Sequence, residues 1–147
     1  MGIPNDNHVL RHVPLKKLFR DDEGNIHGLL PQAFELRPQD NKKLSVNWLE
    51  YFEEATHQDN IESTIKALRL SRGIKNSSNC AYGVGNIEAI KDTCKSHGAT
   101  KVDVVHSGNK GNKSHSSIIR LPEDDLSLMT SLAEEIFTEV INNKSIP

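Results

Sequence analysis

Two histidines, His106 and His115, flank the stretch SGNKGNKS, and each adjoins a short β-branched run, KVDVVH on one side and SSIIRL on the other. If those runs pair as a hairpin, both imidazoles lie near its loop end. Two histidines so placed can divide general acid and general base work in phosphodiester cleavage. His12 is the third candidate for a catalytic role. With a third ligand such as His12 or His8 the same pair could hold a metal, yet histidines at strand ends are also ordinary polar punctuation, and the chain has seven. No H-E-x-x-H, CxxC, G-x-S-x-G or G-x-G-x-x-G pattern occurs, so neither a metal nor a cofactor is expected.

The loop itself suggests a different chemistry. Gly108 and Gly111 free the backbone, successive amides in such a turn can form a nest for an anion, and Lys110 and Lys113 add charge. Asn109, Asn112, Ser116 and Arg120 complete the candidate binding set here, with Lys66 and Arg69 contributed by a preceding helix. The spacing is not that of a phosphate-binding P-loop, and the loop opens a strand rather than a helix.

Charge supports an anion-facing surface. Residues 60–120 hold ten Lys and Arg against four Asp and Glu, whereas the rest holds eight against sixteen, which the net charge of −2 conceals. Two solvated faces of opposite sign would look the same. A nucleic acid is the less expected partner, because Tyr82 is the one aromatic residue in the basic segment and the isoelectric point is near 6.4. An acidic protein or a small phosphate-bearing ligand fits better.

The elements that must carry these residues can be read coarsely. Residues 1–7 read as a loose arm. His8–Phe19 reads as a short strand followed, at Pro14, by a helical turn. Asp21–Asn25 is a turn, and Pro31–Arg37 alternates like an edge strand ended by Pro38. Leu44–Phe52 reads as a helix capped by Ser45, with Trp48, Leu49 and Phe52 inward. A second helix carries Ile61, Ile65 and Leu68, is capped by Asp59 or Asn60, and ends at Gly73. A strand over Cys80–Val84, a Gly85-Asn86 turn and a helix with Ile87, Ile90 and Cys94 inward come next. The strands 101–106 and 116–121 follow, then a final helix bearing Leu128, Met129, Leu132, Ile136 and Val140.

The expected fold is therefore α+β: one domain with a small, mostly antiparallel or mixed sheet and three to four packed helices. At 147 residues the chain can bury one core. It has no long apolar run and no basic-then-apolar leader, so no membrane association is expected and a cytoplasmic setting is, with Cys80 and Cys94 reduced. The stretches RHVPLKKLFRDDEGNIHGLLPQAFELR, KLSVNWLEYF and KSHSSIIRLP resemble small bacterial proteins to which no activity is attached. The resemblance implies a bacterial accessory-genome protein, from a mobile-element or defence-type locus. The functional expectation is a binding module that docks an acidic partner or phosphate-bearing ligand on its basic central face. The alternatives are a histidine-dependent phosphodiesterase or nucleotide-processing enzyme, and a homo-oligomeric structural protein.

Overall fold

The computed structural model describes residues 2–147. Its centre is a six-stranded sheet in the order β6-β7-β4-β1-β5-β8. The strands are β1 (His8–Pro14), β4 (Lys43–Trp48), β5 (Cys80–Asn86), β6 (Asp103–His106), β7 (His115–Ile119) and β8 (Glu139–Asn142). Every pairing is antiparallel. A separate two-stranded ribbon joins β2 (Leu18–Arg20) to β3 (Ile26–Leu29) across the Asp21–Asn25 turn. Asp21 Oδ1 accepts the amides of Glu23 and Asn25 there, the role an Asp at the first turn position usually plays.

Register settles which residues share a face. Val9, Val13, Leu44, Val46, Val104 and Ile118 point to one side, where they are buried against α2 (Ile87–Ser96), α3 (Leu126–Ser131), Phe34 and Phe137. Leu10, Tyr82 and Val84 point to the other side and pack on Ile61, Ile65 and Leu68 of α1 (His57–Arg72). That helix covers only the β1-β5-β8 half of its face. On the β4-β7-β6 half, Lys43 and Ser45 are exposed, and Val105, His115 and Ile119 are only partly buried.

The hairpin of β6 and β7 forms as expected, with Val104 opposite Ile118. Other elements differ. Leu44–Phe52 is not a helix: it is β4 followed by a 3-10 turn over Leu49–Phe52. Exposed Lys43 and Ser45 alternate with buried Leu44 and Val46, a period of two that suits a central strand. Pro31–Phe34 is a 3-10 turn rather than an edge strand, and it buries the neighbours Ala33 and Phe34 together. Val140 lies on β8, not in the last helix. A π-turn at Leu132–Ile136 ends that helix, with the Phe137 amide donating to the Leu132 carbonyl at 2.8 Å. The cap of α1 is Thr56, whose Oγ1 accepts from Asp59 N at 3.0 Å. Asn60 instead receives the Glu54 amide.

Residues 2–7 are tied down rather than loose. Ile3 is buried, its amide donates to Val104 O at 3.2 Å, and Gly2 bridges Val105. Met1 lies outside the described residues. Cys80 and Cys94 are unbridged and buried, and burial pushes the Cys94 thiol up to about 11. No helix among the described residues is long and apolar enough to cross a membrane.

Arg69, expected to reach a ligand, is a structural anchor. It is 6 % exposed, and it donates from Nε to Asn143 Oδ1 at 3.0 Å and from Nη2 to the carbonyls of Asn143 and Ile146 at 2.7 and 2.8 Å. Tyr82 Oη donates to the same Asn143 oxygen at 2.8 Å. Removing the guanidinium strands several buried acceptors at once. Arg69→Ala should therefore lower unfolding stability by about 3 kcal/mol in urea denaturation. A loss below about 1 kcal/mol would mean that the C-terminal turn is not held by this residue.

Candidate functional site: a cationic cleft where the sheet parts

The site begins with an interrupted ladder. β1 pairs with β5 over all seven of its residues but with β4 only at Val9–Trp48 and Leu10–Asn47. Beyond that point the two central strands separate, and the Arg11 side chain spans the gap. Its Nη1 donates to Ser45 O at 2.7 Å and its Nε to Ala33 O at 3.0 Å. The seam opens into a cavity of about 220 Å³. Arg11, His12 and Pro14 of β1 line one wall, with Leu44 and Ser45 of β4 on the other. Lys17, Glu35, Arg37, Asp40 and Arg72 close the mouth.

Cations dominate this space. Of the two acids, Asp40 is committed to Arg37, whose Nη2 donates to it at 2.9 Å while the Arg37 amide donates at 2.7 Å. That pairing holds the Asp40 carboxyl below its ordinary range. Arg11, Lys17 and Arg72 remain against Glu35. Burial, then Arg72 and Arg37, push the Arg11 guanidinium down to about 10, with Asp40 opposing. Burial, then Arg72 and Arg11, push His12 down to about 4. Arg72 Nη1 lies 3.5 Å from His12 Nδ1. A guanidinium can only donate, so Nδ1 is the acceptor and the neutral ring carries its proton on Nε2, toward which an anionic oxygen can be hydrogen-bonded.

His115 stands beside the cleft. Ser45 and His115 share the half-open face, and Ser45 Oγ is 3.3 Å from His115 Nε2. The other ring nitrogen, Nδ1, is 2.9 Å from Ser107 Oγ and 3.3 Å from Ser107 O. With Nδ1 protonated toward that carbonyl, Nε2 can accept from the Ser45 hydroxyl.

His106 does not join them. It pairs with Ser116, one position out of phase with His115, so the two rings project to opposite faces of the sheet. His106 packs on Trp48 and Tyr51 with ring centroids 5.3 and 5.5 Å away, and its Nε2 is 2.7 Å from Lys113 O. Shared acid and base work by His106 and His115 is thereby excluded. The expected amide nest in their loop is already filled. Asn109 Oδ1 accepts the amides of Gly111 and Asn112 at 3.1 and 2.9 Å, and Asn109 and Asn112 exchange backbone bonds. Asn112 Oδ1 accepts from Asn47 Nδ2 at 2.8 Å, which fixes the loop to β4. At Gly108 a Cβ would stand 2.2 Å from Lys113 O, so only glycine permits this closure.

The remaining candidates disperse. Lys110 and Lys113 are exposed on the loop, and Ser116 is buried with its hydroxyl donating to Ser114 O at 3.1 Å. Lys66 is exposed on α1 and does not line the cleft. Arg120, at a positive φ of 63°, instead lines a broad open depression of about 840 Å³ with Lys42, Lys43 and Lys101. That depression also exposes Val105 and Ile119 and contains Asp125. Of the residues singled out from sequence, the structure brings His12 and His115 to either side of Ser45. Arg11, Lys17, Arg37 and Arg72 were not singled out as a set, since they come from four separate segments. The adjacent Arg11-His12 pair on one short strand was the only local signal.

The neutral His12 has a measurable consequence. Its pKa in the fold, about 4, lies below the ordinary 6.5, so the unfolded chain takes up the proton first. The contribution of neutral His12 is complete above about pH 6.5 and is lost as pH falls toward 4. Its ring resonance should stay unchanged between pH 7 and 5, and Arg72→Gln should move the titration upward. A His12 signal titrating at its ordinary value would contradict the crowding of cations in the cleft.

No family model matches this chain, and neither a curated protein nor a solved structure is significantly similar to it.

Proposed function

We propose that the chain is a binding module for a small phosphate-bearing ligand, seated in the cleft between β1 and β4. One observation carries this reading: Arg11, Lys17 and Arg72 face a partly desolvated cavity with Glu35 as the sole uncommitted acid. Like charges gathered away from water destabilise the fold, and an anion among them converts that repulsion into charge-assisted hydrogen bonds. Arg72 and neutral His12 offer donors at the mouth. Arg11 anchors the wall through two backbone carbonyls and keeps its charge directed into the cavity. A volume near 220 Å³ suits a phosphate with a small organic group and excludes a duplex.

A second reading, chemistry on the bound phosphate, draws support from the Ser45–His115 pair at the cleft wall. In it His115 Nε2 takes the Ser45 hydroxyl proton as Oγ attacks phosphorus, the ester P–O bond breaks, and the departing alcohol oxygen takes that proton from His115. Arg72 neutralises charge on the phosphoryl oxygens, and water then hydrolyses the Ser45 phosphoester. Ser45→Ala separates the readings, because it should leave binding intact and abolish turnover of a phosphoester.

Inorganic phosphate, and pyrophosphate more strongly, should raise the melting temperature above chloride at matched ionic strength. The Arg72→Gln/Lys17→Gln protein, which experiences the same general stabilisation by exclusion, is the control for it. At a ligand concentration a hundredfold above Kd the gain is about 2.7 kcal/mol. Arg72→Gln and Lys17→Gln, both changed outside the core, should remove the specific part of that gain, and Lys110→Ala/Lys113→Ala should not. Equal shifts in the wild type and the Arg72→Gln/Lys17→Gln protein would overturn the proposal.

A further inference from the structure

At the opposite end of β1 the polarity reverses. His8 opens β1, Glu50 lies in the 3-10 turn after β4, His57 is the first residue of α1, and Glu139 opens β8. Four elements thus bring two imidazoles and two carboxylates together. His8 Nδ1 is 2.7 Å from Glu50 Oε2, and His57 Nε2 is 2.8 Å from Glu139 Oε1. The two imidazole rings meet edge to face with centroids 4.9 Å apart. One ring nitrogen of each histidine and one oxygen of Glu50 lie within 4.8 Å of one another.

The arrangement is held from behind. Glu50 Oε1 accepts the backbone amide of His8 at 2.8 Å, which fixes the carboxylate and leaves Oε2 directed at the imidazole. The side chains of His8 and Glu50 are 30 % and 26 % exposed, and those of His57 and Glu139 are 40 % and 45 % exposed. The cluster is therefore semi-enclosed and has a route in from solvent. Glu139 and Asp6 add negative charge near His8. Those acids outweigh the positive end of α1, which begins at His57.

We propose that His8, Glu50 and His57 form a binding site for a divalent transition-metal ion of the zinc type, with Glu139 as the carboxylate partner of His57. Two imidazoles and a carboxylate are the donor set that borderline ions such as Zn²⁺ take, and three protein ligands leave a position for water. With His57 ligating through Nδ1, the Glu139 carboxylate on Nε2 fixes the orientation of the ring. Tetrahedral bonds of about 2.0–2.1 Å put ligand atoms about 3.3 Å apart. The His8–Glu50 contact opens by about half an ångström to admit the ion, while the widest pair closes by about 1.5 Å. The ion takes the place of the proton held between His8 Nδ1 and Glu50 Oε2. The site is independent of the anion cleft and shares no residue with it.

The test is calorimetric titration of Zn²⁺ into the chelator-treated full chain, followed by Co²⁺ spectroscopy. The expected result is one ion per chain at micromolar Kd or tighter, with the visible absorption of four- or five-coordinate Co²⁺. His57→Gln lies at the surface and leaves the core untouched, and it should weaken Zn²⁺ at least tenfold, as should Glu50→Gln. His27→Asn removes a histidine elsewhere and should leave affinity unchanged. Stoichiometric binding that survives His57→Gln and Glu50→Gln together, or no stoichiometric binding to the wild type, would overturn the site. Circular dichroism on each variant separates lost ligands from a lost fold.

Discussion

The guanidinium of Arg11 is the interaction on which the centre of this protein depends. β1 is one of two strands that both hydrophobic clusters share, through Val9 and Val13 on one side and Leu10 on the other; β5 is the second, through Ala81 and Tyr82. A central strand that leaves its neighbour after two paired positions strands backbone acceptors inside the protein, at a cost comparable to lost hydrogen bonds. Arg11 substitutes for the missing ladder by donating to Ser45 O and Ala33 O. The parting of the sheet is thus bridged by one side chain, and among the described residues no buried side-chain nitrogen or oxygen lacks a partner. It is a built feature of the fold and not a defect in it.

A cation used as a structural strut brings an electrostatic consequence. Arg11 cannot release its proton at any ordinary pH, so its charge stays in the seam, and Arg72 at the end of α1 adds a second one. The cleft thus combines a rigid wall with uncompensated charge, the condition under which an anion gains most from binding. His12 escapes the same field by staying neutral. Four residues earlier on the same strand, roughly 13 Å away at the usual strand rise, His8 meets Glu50 and the opposite charge environment. One strand therefore carries a cationic end and an acidic end, each completed by side chains from other elements.

Much of the architecture was legible along the chain. The α1 helix with its Gly73 stop, the α2 helix and the β6-β7 hairpin follow from apolar spacing and from turn residues, which act locally. The segment 44–52 was not legible, because Leu44, Trp48, Leu49 and Phe52 satisfy a helical period as well as a strand period over so few residues. Pairing with β1 and β7 on both sides decided for the strand. The same holds for Val140, where a π-turn too short to have a sequence signature ends the helix and frees β8 to pair with β5.

What the sequence determined by itself was the α+β class, most element positions and the concentration of basic residues in the middle of the chain, since these depend on neighbours within a few residues. What only the tertiary structure decided was which of those groups meet. A one-residue difference in phase sent His106 to a face packed on Trp48 and His115 to the face it shares with Ser45. Asn109 closed the glycine-rich loop with its own side chain, and Arg69 turned inward to hold Asn143. The cleft gathered Arg11, Lys17, Arg37 and Arg72 from segments as much as 61 residues apart. Side-chain direction in a sheet alternates with every residue, and convergence across a seam depends on which strands pair and where they part, neither of which any local stretch of sequence encodes.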